Sequence, residues 1–546
     1  MKKRVFKSNL QGQISLFPAR LDQNIPKDSP VKLVNQIVDE LDISAIERTY
    51  KAGGCSAFHP RMMLKVLFYA YMNNIYSCRK IGRLLQENIH YMWLSGNQTP
   101  DFRTINYFRS HHLKDTINQV FTQVVLLLVE MGQISLNTVY IDGTKMESRA
   151  GRYTFVWRKT VEKNKAKLET KIREILKMID SGIAQDDLPD DGSPTPIDSD
   201  ELKKRIAQIN RENLSKQEQK AVKTLEKQHL PKLREYENHL NTLGERNSYS
   251  KTDKSATFMR LKDDHMQNGQ LKPAYNLQIG TEKQFITHFD FFPNPTDTLT
   301  MIPFFEGWAE RYNAYPETTV ADAGYGSEEN YGFMEDNEME AFVKYNYFHA
   351  EQKKKFRENA FITQNLYYNA TDDYFVCPMG QHLENKGSKT TTNKNGHQAE
   401  ITIYTAANCK ACPPRGMCFK GKANRSIEVN HNLNRLRAKA RELLLSKEGI
   451  KQRKKRCVEP EPVFLHIRYD GGYLRFRHFK EDRIKIDFTI LAIALNLSKL
   501  GRRLSGKDKN TQKSSVLRTA TASVPLNLIK IGTHTKMTAD YLQLAA

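Results

Sequence analysis

Two short β-branched apolar runs that each end in an aspartate, one within VYIDGTKMES and one within TTVADAGYGSEEN, constrain the fold most strongly. An apolar run of this kind reads as a buried strand, and a buried strand that stops at an acid delivers the carboxylate at its tip. The first run delivers Asp142 and the second Asp322. Gly324 and Gly326 loosen the turn after the second acid, and a helix can begin near Ser327. Between the two acids, PAYNLQIGTE and QFITHFDFF read as paired strands around a short turn, followed by a helix through Met301, Phe304, Phe305 and Trp308. EAFVKYN supplies a further strand. Strands alternating with helices in this order describe an α/β layer with a mixed sheet.

The flanking segments differ in texture. Residues 1–135 read as a helical N-terminal domain of short amphipathic helices, with Met62, Met63, Leu64, Val66 and Leu67 and then Ile81, Leu84 and Leu85 as apolar positions. Within it, SCRKIGRLLQEN, a turn-bearing stretch, and TPDFRTINYFRSHH with Asp101 as cap could form a helix-turn-helix that reads DNA, or a plain packing pair. Residues 136–156 hold the first core strand. Residues 157–245 read as an inserted helical hairpin of two long polar helices, one with the stripe Leu168, Ile172, Ile175, Leu176 and Ile179, the other with Leu202, Ile206 and Ile209. The connector DDLPDDGSPTPIDSD is expected to be exposed and mobile. The core resumes over 246–350, a cysteine-rich insertion occupies 351–425, a basic C-terminal part of the core covers 426–504, and 505–546 reads as a flexible tail.

Charge bears on partners. The 546 residues carry 84 Lys and Arg against 62 Asp and Glu, a formal net charge of +22, which points to a polyanionic partner. No apolar stretch approaches the roughly 18 to 20 residues of a membrane span, and MKKRVFKSNLQGQ lacks the apolar run of a signal peptide. A cytoplasmic protein without membrane partners is the expectation. Residues 415–457 hold fourteen Lys or Arg against three Glu. Such a run is often only a solvated face, but Arg453, Lys454, Lys455 and Arg456 directly precede two further acids, Glu459 and Glu461, and are candidates for phosphate contact.

The ordered set YIDGT, ADAGYGS, EPVFLHIR and ALNLSKL resembles the DDE transposases of bacterial insertion sequences. The resemblance implies a ribonuclease-H-like core in which a helical N-terminal domain precedes two strand-borne aspartates and a late helix bears a glutamate. Carried over, it names Asp142, Asp322 and Glu461 as catalytic acids, with Glu459 as the alternative for the third, and Arg468 at the place of a phosphate-binding cation. The family's spacing around the glutamate is Y-x2-R-x3-E-x6-K. Here Arg468 stands for the lysine, Arg456 lies one residue further from Glu461 than the pattern has it, and no tyrosine stands upstream where expected. Arginine keeps the charge but changes the geometry of phosphate contact.

Three carboxylates suit the chemistry that the resemblance implies. Phosphodiester cleavage and strand transfer need a strong nucleophile and a stabilised leaving oxygen, which two Mg²⁺ (or Mn²⁺) ions about 3.5 to 4 Å apart supply together. The implied partners are the element's terminal inverted repeats and target DNA, with a homodimer pairing two ends. A second constellation is Cys377, Cys409, Cys412 and Cys418, spaced for a structural, tetrahedral Zn²⁺, with His382 or His397 as substitutes and unliganded thiols as the alternative. Cys55, Cys78 and Cys457 stand alone and read as core or incidental thiols. The chain has no GxxxxGK[ST] loop, no GxGxxG after a strand and no GxSxG elbow, which argues against ATP use, dinucleotide binding and serine hydrolysis. Two rival functions are a stand-alone nuclease on the same core and a non-catalytic zinc-containing DNA-binding protein.

Overall fold

The computed structural model describes residues 20–51, 53, 56–180, 197–209, 214–261, 269–393 and 396–506. Most of the 186–200 connector and nearly all of the 505–546 tail lie outside the described residues, as does Cys55.

The first aspartate-bearing run is strand β1 (Thr138–Glu147), so Asp142 lies inside the strand and not at its tip as expected, because antiparallel pairing with residues 274–281 carries the strand on to Glu147. A short pair, β2 (Phe155–Trp157) and β3 (Ser248–Ser250), closes the base of the helical insertion. The sheet then continues with β4 (Thr257–Arg260), β5 (Leu271–Glu282) and β6 (Phe285–Phe292), and, after the helix Met301–Tyr312, with β7 (Thr318–Ala321) and β8 (Glu340–Val343). β5 pairs antiparallel with β1 on one side and with β4 and β6 on the other, whereas β7 runs parallel to β1 and β8 parallel to β7. The expected mixed α/β sheet is therefore present.

Alternation along β1 separates two environments. Val139 and Ile141 face the main core, which also contains helix Glu481–Leu504 and the helices between residues 30 and 130. Tyr140 packs on the opposite face with Val320, Phe342 and Leu444. The N-terminal helices thus share one hydrophobic core with the sheet. Asp101 caps the helix Phe102–Tyr107 by accepting from Thr104 N at 2.7 Å, and this helix packs on Cys78–Glu87. The stretch between them, read as turn-bearing, holds a further helix, Ile89–Ser95, ended by Gly96 at φ 58°. No described helix is long and apolar enough to cross a membrane.

The helical insertion departs from two long helices. Its first limb is one helix, Arg158–Asp180, but the return comes in two pieces, Ser199–Gln208 and a run from Lys216 to Leu243 that carries a π-turn at Leu225–His229. Ser215 and Glu218 form a reciprocal capping box that starts the second piece, and Pro231, with no N–H to give, stands just after the π-turn within it. Both expected stripes nevertheless meet in one core, where Leu168, Ile172 and Leu176 pack with Leu202 and Ile206.

A buried polar knot fastens the C-terminal helix to the N-terminal helices. Asp487 is 1% exposed, accepts from Tyr473 Oη at 2.6 Å and from the Tyr71 hydroxyl, and lies 3.4 Å from Arg109 Nη1 and 3.5 Å from His478 Nε2. Burial alone would raise its carboxyl. The His478, Arg109 and Tyr473 contacts outweigh burial and hold it down to about 2.

Candidate active site

The register of β1 with β7 brings the two aspartates together. Tyr140 pairs with Val320, so Asp142 and Asp322 occupy equivalent places, two residues on, along neighbouring parallel strands. β7 ends at Ala321, and Asp322 caps the following turn by accepting from Gly324 N at 2.8 Å. Arg456 joins the pair: its Nη2 lies 3.3 Å from Asp142 Oδ1 and 3.4 Å from Asp322 Oδ2. A single guanidinium thus sits between two carboxylates.

A third acid, absent from the sequence reading, lies at the same place. Asp297 Oδ1 accepts from Asn276 Nδ2 at 2.8 Å and from Gln278 Nε2 at 2.9 Å. Its turn is tied to the Asp322 turn by Thr298 Oγ1 donating to Gly324 O at 2.9 Å. The two glycines leave room for this packing of side chains. A Cβ on Gly143 would come within 2.2 Å of Gln278 Nε2 and 2.7 Å of Asp297 Oδ1, and one on Gly324 within 3.0 Å of Asp322 Oδ1. Beneath them Tyr325 is fully buried and donates to Gln278 Oε1. Burial, then the charges of Asp297, Asp142 and Asp322, push its phenol well above the ordinary value. The available sequence signal was Asn276 and Gln278, two amides on one face of a strand otherwise patterned as buried, which require polar company.

The remaining predicted residues are distributed around this centre. Arg468 donates from Nη2 to Thr144 Oγ1 and to Lys145 O, both at 2.9 Å. Glu459 is buried and accepts from Gln284 N at 2.7 Å, in the turn between β5 and β6; burial pushes its carboxyl up. Glu461 is exposed, in the first turn of helix Pro460–Leu465. Of the four consecutive cations, Lys454 and Lys455 are exposed, Arg453 lies 5.1 Å over the Phe348 ring, and Arg456 is turned inward to the aspartates. Asn496, in the ALNLSKL segment, clips the main chain of β6, accepting from Ile286 N and donating to Ile286 O at 2.8 Å each.

The donor chemistry at the aspartate pair fits hard divalent cations, since carboxylates already surround a positive group there. Among the described residues, no group of three His, Cys, Asp or Glu side chains closes to metal-holding geometry. Two family models match the chain. A transposase DDE domain matches residues 376–501, and a transposase domain (DUF772) matches residues 19–111. No curated protein matches it.

Proposed function

We propose, from the premise that this chain is a DDE transposase of insertion-sequence type, that it binds the ends of its element as a homodimer and catalyses their cleavage and transfer to target DNA. The observation that carries this reading is the meeting of Asp142, inside β1, with Asp322, just past the end of the parallel neighbour β7, on one guanidinium. The strand order β6-β5-β1-β7-β8, three antiparallel and then two parallel, supports a ribonuclease-H-like core.

Glu461 is the third acid in this reading. The helix that bears it is anchored at its start, where Glu459 meets the β5–β6 turn, and near its end, where Arg468 meets Thr144. Asp142 and Thr144 share one face of β1. Seven helical residues before Arg468 span about 10 Å, the reach of about three strand residues, and this spacing supports assigning Glu461 to the same centre as Asp142. Glu459 is committed to the far turn. Divalent ions held by Asp142, Asp322 and Glu461 would activate the attacking oxygen and stabilise the leaving one. Arg456 offsets the mutual repulsion of the aspartates, and Asp297 fixes the Asn276 and Gln278 amides on which Tyr325 rests.

The test is incubation of purified protein with labelled element ends, Mg²⁺ and target DNA, with products resolved on a denaturing gel. Joined end-target strands are expected. Cutting without joining would replace this reading with a stand-alone nuclease, and neither product with a binding protein.

In this reading the exposed members of the basic run are the ones offered to phosphate. Lys454 and Lys455 are the outward members of the run, so the double change to Ala should flatten the salt dependence of DNA binding by up to roughly 0.9 log unit for each phosphate no longer neutralised, equally for all sequences. An unchanged slope would leave the two lysines as a solvated face.

A further inference from the structure

The 367–429 segment folds as an antiparallel meander whose centre is small. Its strands β9 (Tyr367–Asn369), β10 (Tyr374–Val376), β11 (His382–Thr392), β12 (Gln398–Ala406) and β13 (Ser426–Val429) follow one another across the sheet. The buried apolar core is Leu366, Phe375, Leu383, Tyr404, Ala406, Ile427 and Val429. A sheet with so little core ordinarily needs a covalent or metal staple. The described cysteines are all free thiols.

Cys377, Cys409, Cys412 and Cys418 line a single cavity of about 30 Å³, together with Phe361 and Arg425. The thiols border it without closing on a common point. Three features prepare them for a positive occupant. Main-chain N–H groups already face sulfur: Gln381 N donates to Cys377 Sγ and Arg425 N to Cys409 Sγ, both at 3.3 Å. Such donors hold the two sulfurs in place at the cavity wall. The two turns are tight, with Gly380 at φ 79° and Ala411, between Cys409 and Cys412, in the left-handed region at φ 54° where a non-glycine residue is strained. Finally, Arg425 is 5% exposed, donates from Nη1 to Cys418 Sγ at 3.0 Å and from Nη2 to Phe361 O at 2.8 Å, and has no carboxylate partner among the described residues. A buried guanidinium without an anion is costly.

We propose that these four cysteines bind one structural Zn²⁺ as thiolates and that Arg425 is the built-in counter-charge of that centre. Four thiolates around one divalent ion leave excess negative charge, which a buried guanidinium touching one sulfur offsets. Neither histidine alternative joins the site. His382 stacks on Tyr374 at 3.9 Å and His397 lies 3.7 Å from Glu328. Because all ligand positions are closed by sulfur, the centre holds the meander together and does no chemistry on DNA.

The experiment is elemental analysis and thiol titration of the full chain, purified reduced and without chelator, followed by exchange with Co²⁺ alone. About one zinc per chain is expected, with four cysteines protected until the metal is removed, and the cobalt form should show the thiolate charge-transfer and intense visible bands of a tetrahedral sulfur site. Arg425→Gln should retain the site but lose zinc to a competing chelator about 10- to 100-fold more readily. Zinc-free protein with reactive thiols, a disulfide among the four, or a cobalt spectrum without thiolate bands would each overturn the proposal. So would an Arg425→Gln protein that holds zinc as tightly as the parent, as regards the counter-charge. Asp142→Asn protein, tested alongside, should keep its zinc. A chain that binds zinc but neither cuts nor joins DNA would therefore fail the transposase reading and leave this one standing.

Discussion

Asp142→Asn and Asp322→Asn should each lower end cleavage by at least about a thousandfold, on the order of 4 kcal/mol in the barrier, while DNA affinity changes little. The amide is preferred to alanine because Arg456 is a shared partner of both acids. Truncation would leave a guanidinium with 10% of its side chain exposed beside an empty volume, and misfolding could then imitate a loss of chemistry. Melting temperature and filter binding on the same preparations separate the two outcomes. Glu461→Gln should match the aspartate variants, whereas Glu459→Gln, at the β5–β6 turn, should shift stability more than rate. Asp322→Asn protein that cleaves at the parental rate would remove the two-aspartate mechanism. If Glu459→Gln alone abolished cleavage, the third acid would have been misassigned by one helical cap.

What could be read in advance followed the range of the interactions. Both aspartate-bearing strands were legible because an apolar β-branched run is a local pattern, as was the antiparallel pair β5 and β6, but only Asp322 stands at a strand end; β1 continues past Asp142 because its partner β5 extends beside it. That Asp142 and Asp322 are neighbours depends on the pairing of Tyr140 with Val320, a contact across 180 positions that no local pattern encodes. The third carboxylate of the cluster was missed because PNPTDTLT reads as an ordinary turn; only the amides of Asn276 and Gln278, distant in sequence, mark Asp297 as special. The four consecutive cations were read as a single surface. Helical period already divides them, however, since residues three apart share a side. Arg453 and Arg456 point inward, and Lys454 and Lys455 outward. Similarly, the return limb of the helical insertion was taken as continuous from its apolar stripe, although Ser215 with Glu218 carried the start signal of a new helix.

Asp487→Asn should destabilise the protein by about 3 to 5 kcal/mol at neutral pH, as expected when one partner of a buried ion pair is removed. Its partner Arg109 is 7% exposed and would remain without a counter-ion, while the Tyr71 and Tyr473 hydroxyls would lose a charged acceptor. The effect should spread beyond the immediate neighbours, because this knot joins helix Pro60–Met72, the turn at Arg109 and the C-terminal helix around one core. The pH dependence gives a second, independent reading. The folded carboxyl lies at about 2 against an ordinary 3.8, so the native state favours the ionised form. That contribution is fully present above about pH 4, declines as pH falls from about 4 to about 2, and is absent below; the depression corresponds to roughly 2 kcal/mol. Denaturant unfolding of parent and variant across pH 2 to 7 should therefore show two stability curves separated by a constant gap down to about pH 4, then narrowing. Other carboxylates titrate in the same range, but they do so in both proteins and cancel in the difference. A gap that stays constant to pH 2 would mean that the ionised Asp487 is not what Arg109, His478 and the two tyrosines hold in place. A gap absent at pH 7 would mean that the buried pair is replaceable by neutral hydrogen bonds.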